Sequence, residues 1–257
     1  MTWNSNQPKS QLSRRQFFQF GTGIVGAGSL TAWLGTGALA QSLDSSARQP
    51  QDNLLAAASD HAHPTSDLSP EAALRQLVEG NQRFVAAKRL NPHEDVARLT
   101  EVAAGQTPFA AILSCADSRV VPEIVFDQGI GDLFIVRVAG NIAVTEDVAS
   151  EEYAVGVLGV PLLVVLGHAK CGAVKAALEG GELPGVIESL VFAIQPAIAA
   201  SEGQPGDRLT NAVKANVRLQ MQRLQSSSVI ASALQQGKLK IVGAYYDLET
   251  GTVSLLS

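Results

Sequence analysis

The sequence predicts an α/β fold with a mostly parallel central sheet flanked by helices. Three observations carry this. The stretches 109–113, 133–136 and 162–166 are continuous apolar runs, the pattern of strands covered on both faces. Helical segments such as 148–158 separate them. Two of the three runs end in residues able to do chemistry, Cys115 after the first and His168 after the third, as expected for ligands gathered at the carboxyl ends of parallel strands. In chain order, Ser69-Pro70-Glu71 supplies an N-cap, a first-turn proline and a first-turn acid for a helix starting near Pro70, with Leu74, Leu77, Val78, Phe84 and Val85 as its apolar face. The strands at 109–113 and 133–136 and the helix at 148–158 follow, then the strand at 162–166. Helices are expected at 173–178, 186–200 and 209–235, broken at Gly180-Gly181, Pro184-Gly185 and 203–206. A strand at 239–246 and a turn at 247–251 lead into 252–255, a hairpin at the sheet edge.

The N-terminus follows a different rule. Lys9, Arg14 and Arg15 are the charged residues of the first 40, and none occurs from Gln16 to Leu43. Ser13-Arg14-Arg15-Gln16-Phe17-Phe18, a glycine-rich apolar segment and Ala38-Leu39-Ala40 together resemble a twin-arginine export signal cleaved after Ala40. Six glycines and four threonines or serines interrupt the stretch from Gly21 to Gly37, a poor spanning helix, so no stable membrane insertion is expected after cleavage. The chain therefore divides into a signal at 1–40, an arm or linker at 41–68 and one domain at 69–257, exported to the periplasm or another extracytoplasmic compartment. His61 and His63 lie in the polar arm and read as solvated side chains.

Composition narrows the function. The 257 residues are 46% hydrophobic and 17% charged, too apolar for a disordered chain. A net charge of -5 lacks the basic balance that a nucleic acid backbone would attract. Two cysteines, Cys115 and Cys171, exclude a disulfide-rich scaffold and a four-thiolate site made by one chain.

Cys115 closes one strand, His168 another, and Cys171 follows His168 by three residues on the loop entering a helix. Cys-His-Cys is a borderline-soft donor set suited to zinc, and three protein ligands leave a fourth position for water or substrate, the pattern of a catalytic site. Asp117 is the rival for that fourth position. Taken singly, the residues also allow a Cys115–Cys171 disulfide, two inert core thiols and a satisfied loop histidine. Arg119 can hold Asp117 bidentately and ionised, so that the carboxylate accepts a hydrogen bond from an attacking oxygen; an ordinary surface ion pair is the plainer alternative.

Cys115-Ala116-Asp117-Ser118-Arg119 with His168-Ala169-Lys170-Cys171-Gly172 resembles the β-class carbonic anhydrases. So do Gly105-Gln106-Thr107-Pro108, Gly131-Asp132-Leu133-Phe134, Arg137-Val138-Ala139-Gly140-Asn141, Glu152-Tyr153-Ala154-Val155 and Gly243-Ala244-Tyr245-Tyr246-Asp247, in order across residues 69–257. The resemblance implies a β-carbonic anhydrase-like fold and one Zn2+ per chain on Cys115, His168 and Cys171. It implies reversible hydration of carbon dioxide to bicarbonate by a zinc-held hydroxide, with Asp117 and Arg119 as the catalytic dyad. Gln106, Phe134 and Tyr153 match substrate-pocket positions of the plant-like subgroup, and Ile112 stands where the bicarbonate-inhibited subgroup has tryptophan, which implies an open site with Asp117 off the metal. A homodimer or larger homo-oligomer, with pockets at the subunit interface, is implied at the level of fold. Two thiolates cancel the charge of the dication, so activity is expected to rise on the alkaline side. Hydrolysis of carbonyl sulfide or carbon disulfide at the same site, and a non-catalytic exported zinc-binding protein, are the alternatives.

Overall fold

The computed structural model describes residues 65–256. The twin-arginine segment, the cleavage site after Ala40, most of the 41–68 arm and the His61/His63 pair lie outside the described residues.

Among the described residues five strands form one sheet, β1 (Ala110–Ser114), β2 (Leu133–Arg137), β3 (Leu162–His168), β4 (Lys240–Tyr246) and β5 (Val253–Leu256). Their order is β2-β1-β3-β4-β5, parallel throughout except for β5, which pairs antiparallel with β4 as the expected edge hairpin. The helices are α1 (Pro70–Val85), α2 (Val96–Val102), α3 (Pro122–Val125), α4 (Thr145–Gly156), α5 (Gly172–Glu179), α6 (Glu188–Ser201), α7 (Arg208–Gln225) and α8 (Ser228–Gln235).

The apolar runs are unbroken because both faces of β1 and β3 are covered, and every residue of each is buried. Ala110, Ile112, Leu162, Val164 and Leu166 point into one core layer with Ala73 and Leu77 of α1. Ala111, Leu113, Leu163 and Val165 point into the other, against Ala154 and Leu158 of the α4 side and Val217 and Leu224 of α7. α1 begins where its sequence signals place it: the Ser69 hydroxyl accepts the Ala72 N–H at 3.2 Å, with proline in the first turn. Buried Asn81 then fastens the hairpin, donating to Gly251 O at 2.9 Å and accepting from Val253 N at 2.8 Å.

The structure corrects one expected helix. Residues 209–235 form two helices, α7 and α8, rather than one, because Ser227 takes an extended conformation between them. Its hydroxyl accepts the Ile230 N–H at 3.3 Å and donates to Glu152 Oε1 at 2.6 Å, an arrangement that a continuous helix would forbid. The short α2 and α3 were not expected; Asp95 caps α2, and Pro122 opens the four-residue α3. Among the described residues no helix is long and apolar enough to cross a membrane.

Candidate metal centre

β1 leaves for β2 on one side and has β3 on the other, so the crossovers diverge between β1 and β3 and open a crevice at their carboxyl ends. Cys115 directly follows β1, His168 is the last residue of β3, and Cys171 is the N-cap of α5. The turn between them is anchored where Ala169 N–H donates to Tyr246 O at 2.8 Å, and Lys170 takes a left-handed conformation, φ 55°. That turn brings Cys171 back beside His168. All three side chains are buried, and their donor atoms lie within 4.8 Å of one another.

The histidine is oriented for a cation. Its Nδ1 lies 2.9 Å from Ala169 O, which makes Nδ1 the protonated nitrogen and leaves a lone pair on Nε2. That Nε2 is buried and makes no hydrogen bond. Both cysteines are free thiols rather than a disulfide. The hydrogen bond from Cys171 is the main influence pulling the Cys115 thiol down to about 4; the neighbouring His168 ring and the backbone N–H groups of Gly140 and Asp117 add to it, against the cost of burial. Cys171 is pushed up instead, first by donating to Cys115, then by burial and by the charge of Cys115, although Val174 and Ala173 N–H groups of α5 oppose this. By itself the pair therefore carries one negative charge. A dication is what would let both sulfurs ionise, and two thiolates with one imidazole are a fitting set for zinc.

Asp117 borders the cluster, with Oδ2 3.9 Å from His168 Nε2. Arg119 engages both of its oxygens, Nε to Oδ1 at 2.9 Å and Nη2 to Oδ2 at 2.7 Å, while Arg119 N–H reaches Oδ1 at 3.0 Å. These bonds, the guanidinium's above all, hold the Asp117 carboxyl well below the usual carboxylate range. The loop carrying the dyad is itself gripped. Arg137, at the end of β2, donates from Nε to Cys115 O at 3.1 Å and from Nη2 to Asp117 O at 2.7 Å.

Five residues singled out from the sequence, Cys115, Asp117, Arg119, His168 and Cys171, thus come together. Three do not join them within the chain. Gln106 precedes β1 and Cys115 follows it, so the strand's five residues, about 16 Å, lie between them. Phe134 is near the amino end of β2, opposite Ala111 in register, and its ring packs on that of Tyr153 with centroids 6.2 Å apart. Sequence reasoning assigned no role to Arg137 or Gly140, although both stand in Arg137-Val138-Ala139-Gly140-Asn141, which starts at the last residue of β2 and doubles back over Cys115.

Comparison with known proteins points to one family. A family model described as carbonic anhydrase matches residues 110–253. The chain is 43% identical over 192 residues to carbonic anhydrase 2 of Mycobacterium tuberculosis, covering 73% of this chain and 93% of that protein. It is 42% identical over 194 residues to a carbonic anhydrase of Mycolicibacterium smegmatis, with 74% and 94% covered. Among solved structures it is similar to the β-carbonic anhydrase CafA of Aspergillus fumigatus, with a TM-score of 0.59, 29% identity and coverage of 73% and 90%. A pair of tetrameric β-carbonic anhydrases from Sordaria macrospora gives a TM-score of 0.57 at 25% identity, covering 72% of this chain and 96% of that chain.

Proposed function

The chain belongs to the β-class carbonic anhydrase family, and on that premise we propose that it holds one zinc ion on Cys115, His168 and Cys171 and interconverts carbon dioxide and bicarbonate. The observation that carries this is the buried Cys-His-Cys cluster bordered by an aspartate whose two oxygens an arginine already holds. Zinc, when bound, supplies a water acidified enough to serve as a hydroxide nucleophile. The protein's own groups do the rest. Asp117, kept ionised by Arg119, can only accept hydrogen bonds, so its Oδ2 takes the proton side of the attacking oxygen and turns a lone pair toward carbon. Engagement of both Asp117 oxygens by Arg119 supports the plant-like, open reading, in which the carboxylate stays off the metal.

The pocket reading requires a second copy. Gln106, Phe134 and Tyr153 lie toward the far end of the strands from Cys115, yet Tyr153 remains 41% exposed and available to another subunit. A homodimer or larger homo-oligomer, each copy lending these residues to its partner's crevice, accommodates them. Export by the twin-arginine route to the periplasm belongs to the same proposal. Replacing Arg14 and Arg15 by lysine should leave the protein inside the cell, and unchanged localisation would refute the route.

Stopped-flow hydration of carbon dioxide by the purified chain, with metal analysis, tests the activity. Stoichiometric zinc, with hydration that strengthens toward alkaline pH, is the expected result. Stoichiometric zinc without hydration at alkaline pH would overturn the proposal and favour a zinc-binding role.

A further inference from the structure

Beside the crevice, α7 turns two carboxamides into the interior. Asn216 and Gln220 stand one helical turn apart, both with no solvent exposure. Buried amides are costly unless every polar atom is paired, and these two are paired in a directed line. Gly140 N–H donates to Cys115 Sγ at 3.2 Å. Asn216 Nδ2 donates to Gly140 O at 2.8 Å, and Gln220 Nε2 donates to Asn216 Oδ1 at 2.7 Å. Gln220 Oε1 accepts from Ala143 N at 2.9 Å and from Arg223 Nη1 at 3.1 Å.

The direction of this line is determined from its outer end. Backbone N–H of Ala143 can only donate, so the amide oxygen of Gln220 must face it. Its NH2 must then face the Asn216 oxygen, and the Asn216 NH2 must face Gly140 O. Gly140 has φ 79°, and a Cβ there would come within 2.7 Å of Ile194 Cδ1, so the position needs glycine both for its conformation and for lack of room. The N–H and C=O of Gly140 lie in adjacent peptide units joined at its Cα, so a bond that holds the carbonyl restricts the residue's ψ, and with the crowded φ it keeps the N–H on the sulfur.

We infer that Asn216 and Gln220 are positioning residues of the metal centre, acting through the backbone conformation of Gly140 to maintain the N–H donor on Cys115 Sγ. They never touch the metal. The inference rests on the proposed occupation of Cys115, His168 and Cys171 by zinc, and it adds a determinant of how tightly and with what sulfur character that metal is held. Arg223 ends the line without directing it, because Ala143 N–H alone suffices to orient Gln220.

Competition with a chromophoric chelator for zinc, and the thiolate-to-metal charge-transfer band of the cobalt(II)-substituted protein, test this on the full chain. Asn216→Asp keeps the shape but removes the donor to Gly140 O. It should weaken metal binding about 10–100-fold and shift the band. Gln220→Glu, which keeps both acceptor contacts, should shift both readouts in the same direction by less, and it serves in place of Asn216→Asp should that variant not fold. Arg223→Met should remain within about twofold of wild type, since the remaining outer-shell bond to Gln220 is intact. Wild-type affinity and an unshifted band in the folded Asn216 and Gln220 variants would overturn the inference, as would an Arg223→Met loss equal to theirs. A wild-type chain that itself binds neither zinc nor cobalt would instead overturn the metal reading and this inference with it.

Discussion

Two positions apart in the chain, Asp117 and Arg119 meet edge to edge: Nε and Nη2 of the arginine reach separate carboxylate oxygens at 2.9 and 2.7 Å. The fork fixes the plane of the carboxylate and leaves Oδ2 bordering His168. Asp117→Asn should lower kcat/KM by roughly 10²–10⁴-fold with zinc content unchanged. Asp117 is held well below the carboxylate range and so stays ionised at working pH. The alkaline rise in activity should therefore persist in the variant, which a pH profile of kcat/KM can check. Arg119→Lys, which keeps charge without a planar fork, should recover only a small part of the activity lost in Arg119→Ala.

Cys115 and Cys171 differ in the proton they carry when no metal is bound. With Cys115 drawn down to about 4 and Cys171 pushed up, the pair holds one proton across the neutral range. Zinc binding at pH 7 should therefore release about one proton rather than two. Calorimetric titration of the metal-free chain in buffers of different ionisation enthalpy measures this number. Chelation should abolish hydration, and zinc should restore it.

The subunit arrangement can be tested by complementation. Cys115→Ser removes a proposed zinc ligand, Phe134→Ala alters the proposed shared pocket, and each protein alone should be nearly inactive. If Phe134 serves its partner's crevice, a mixed dimer regains one intact site, so an equal mixture after subunit exchange should recover about a quarter of wild-type activity. A mixture as inactive as its components would place Phe134 in the service of its own chain.

Glu151 makes a stability prediction. It is completely buried, and neither carboxylate oxygen has a hydrogen-bond partner. Burial, with some repulsion from Asp147 one turn away, pushes it up to about 8 from an ordinary 4.5. Below pH 4.5 it is neutral in both the folded and unfolded states and costs no ionisation energy. Between 4.5 and 8 only the unfolded chain ionises, so stability falls as pH rises, levelling off above 8 at a penalty on the order of 5 kcal/mol. Glu151→Gln should flatten this dependence. Urea unfolding of both proteins at pH 5.5 and 8.5 should show a smaller loss between the two pH values in the variant.

Much of this could be read along the chain because its causes are local. Phe109-Ala110-Ala111-Ile112-Leu113 announces a covered strand by composition alone, and a helix that opens with Ser69-Pro70-Glu71 states its own start. The candidate metal-binding residues are legible for a different reason: strand ends in a parallel sheet converge, so Cys115 and His168 could be placed together without knowing the packing. What stayed hidden depends on distant pairing. Ser227 caps α8 through the Ile230 N–H, a break that the serines at 226–228 allow locally, but its partner Glu152 lies far off in sequence and nothing near Ser227 names it. Asn216 and Gln220 look like ordinary polar residues of an amphipathic helix until the fold buries them behind Gly140. Gln106 and Phe134 stand before or near the starts of their strands, so the end of the sheet on which they fall could be read, but one chain carries no sign of which crevice they would line.

The neighbouring places of β1 and β3 in the sheet also set an order of events during synthesis. The chain delivers Cys115 first, then makes α3, β2 and α4 before His168 and Cys171 emerge. Until β3 docks against β1, a pairing distant in sequence and correspondingly slow, the first sulfur has no co-ligands and no enclosure. Assembly of this centre thus cannot precede the synthesis of β3, and until then the surroundings decide whether an uncommitted thiol meets a metal or an oxidant.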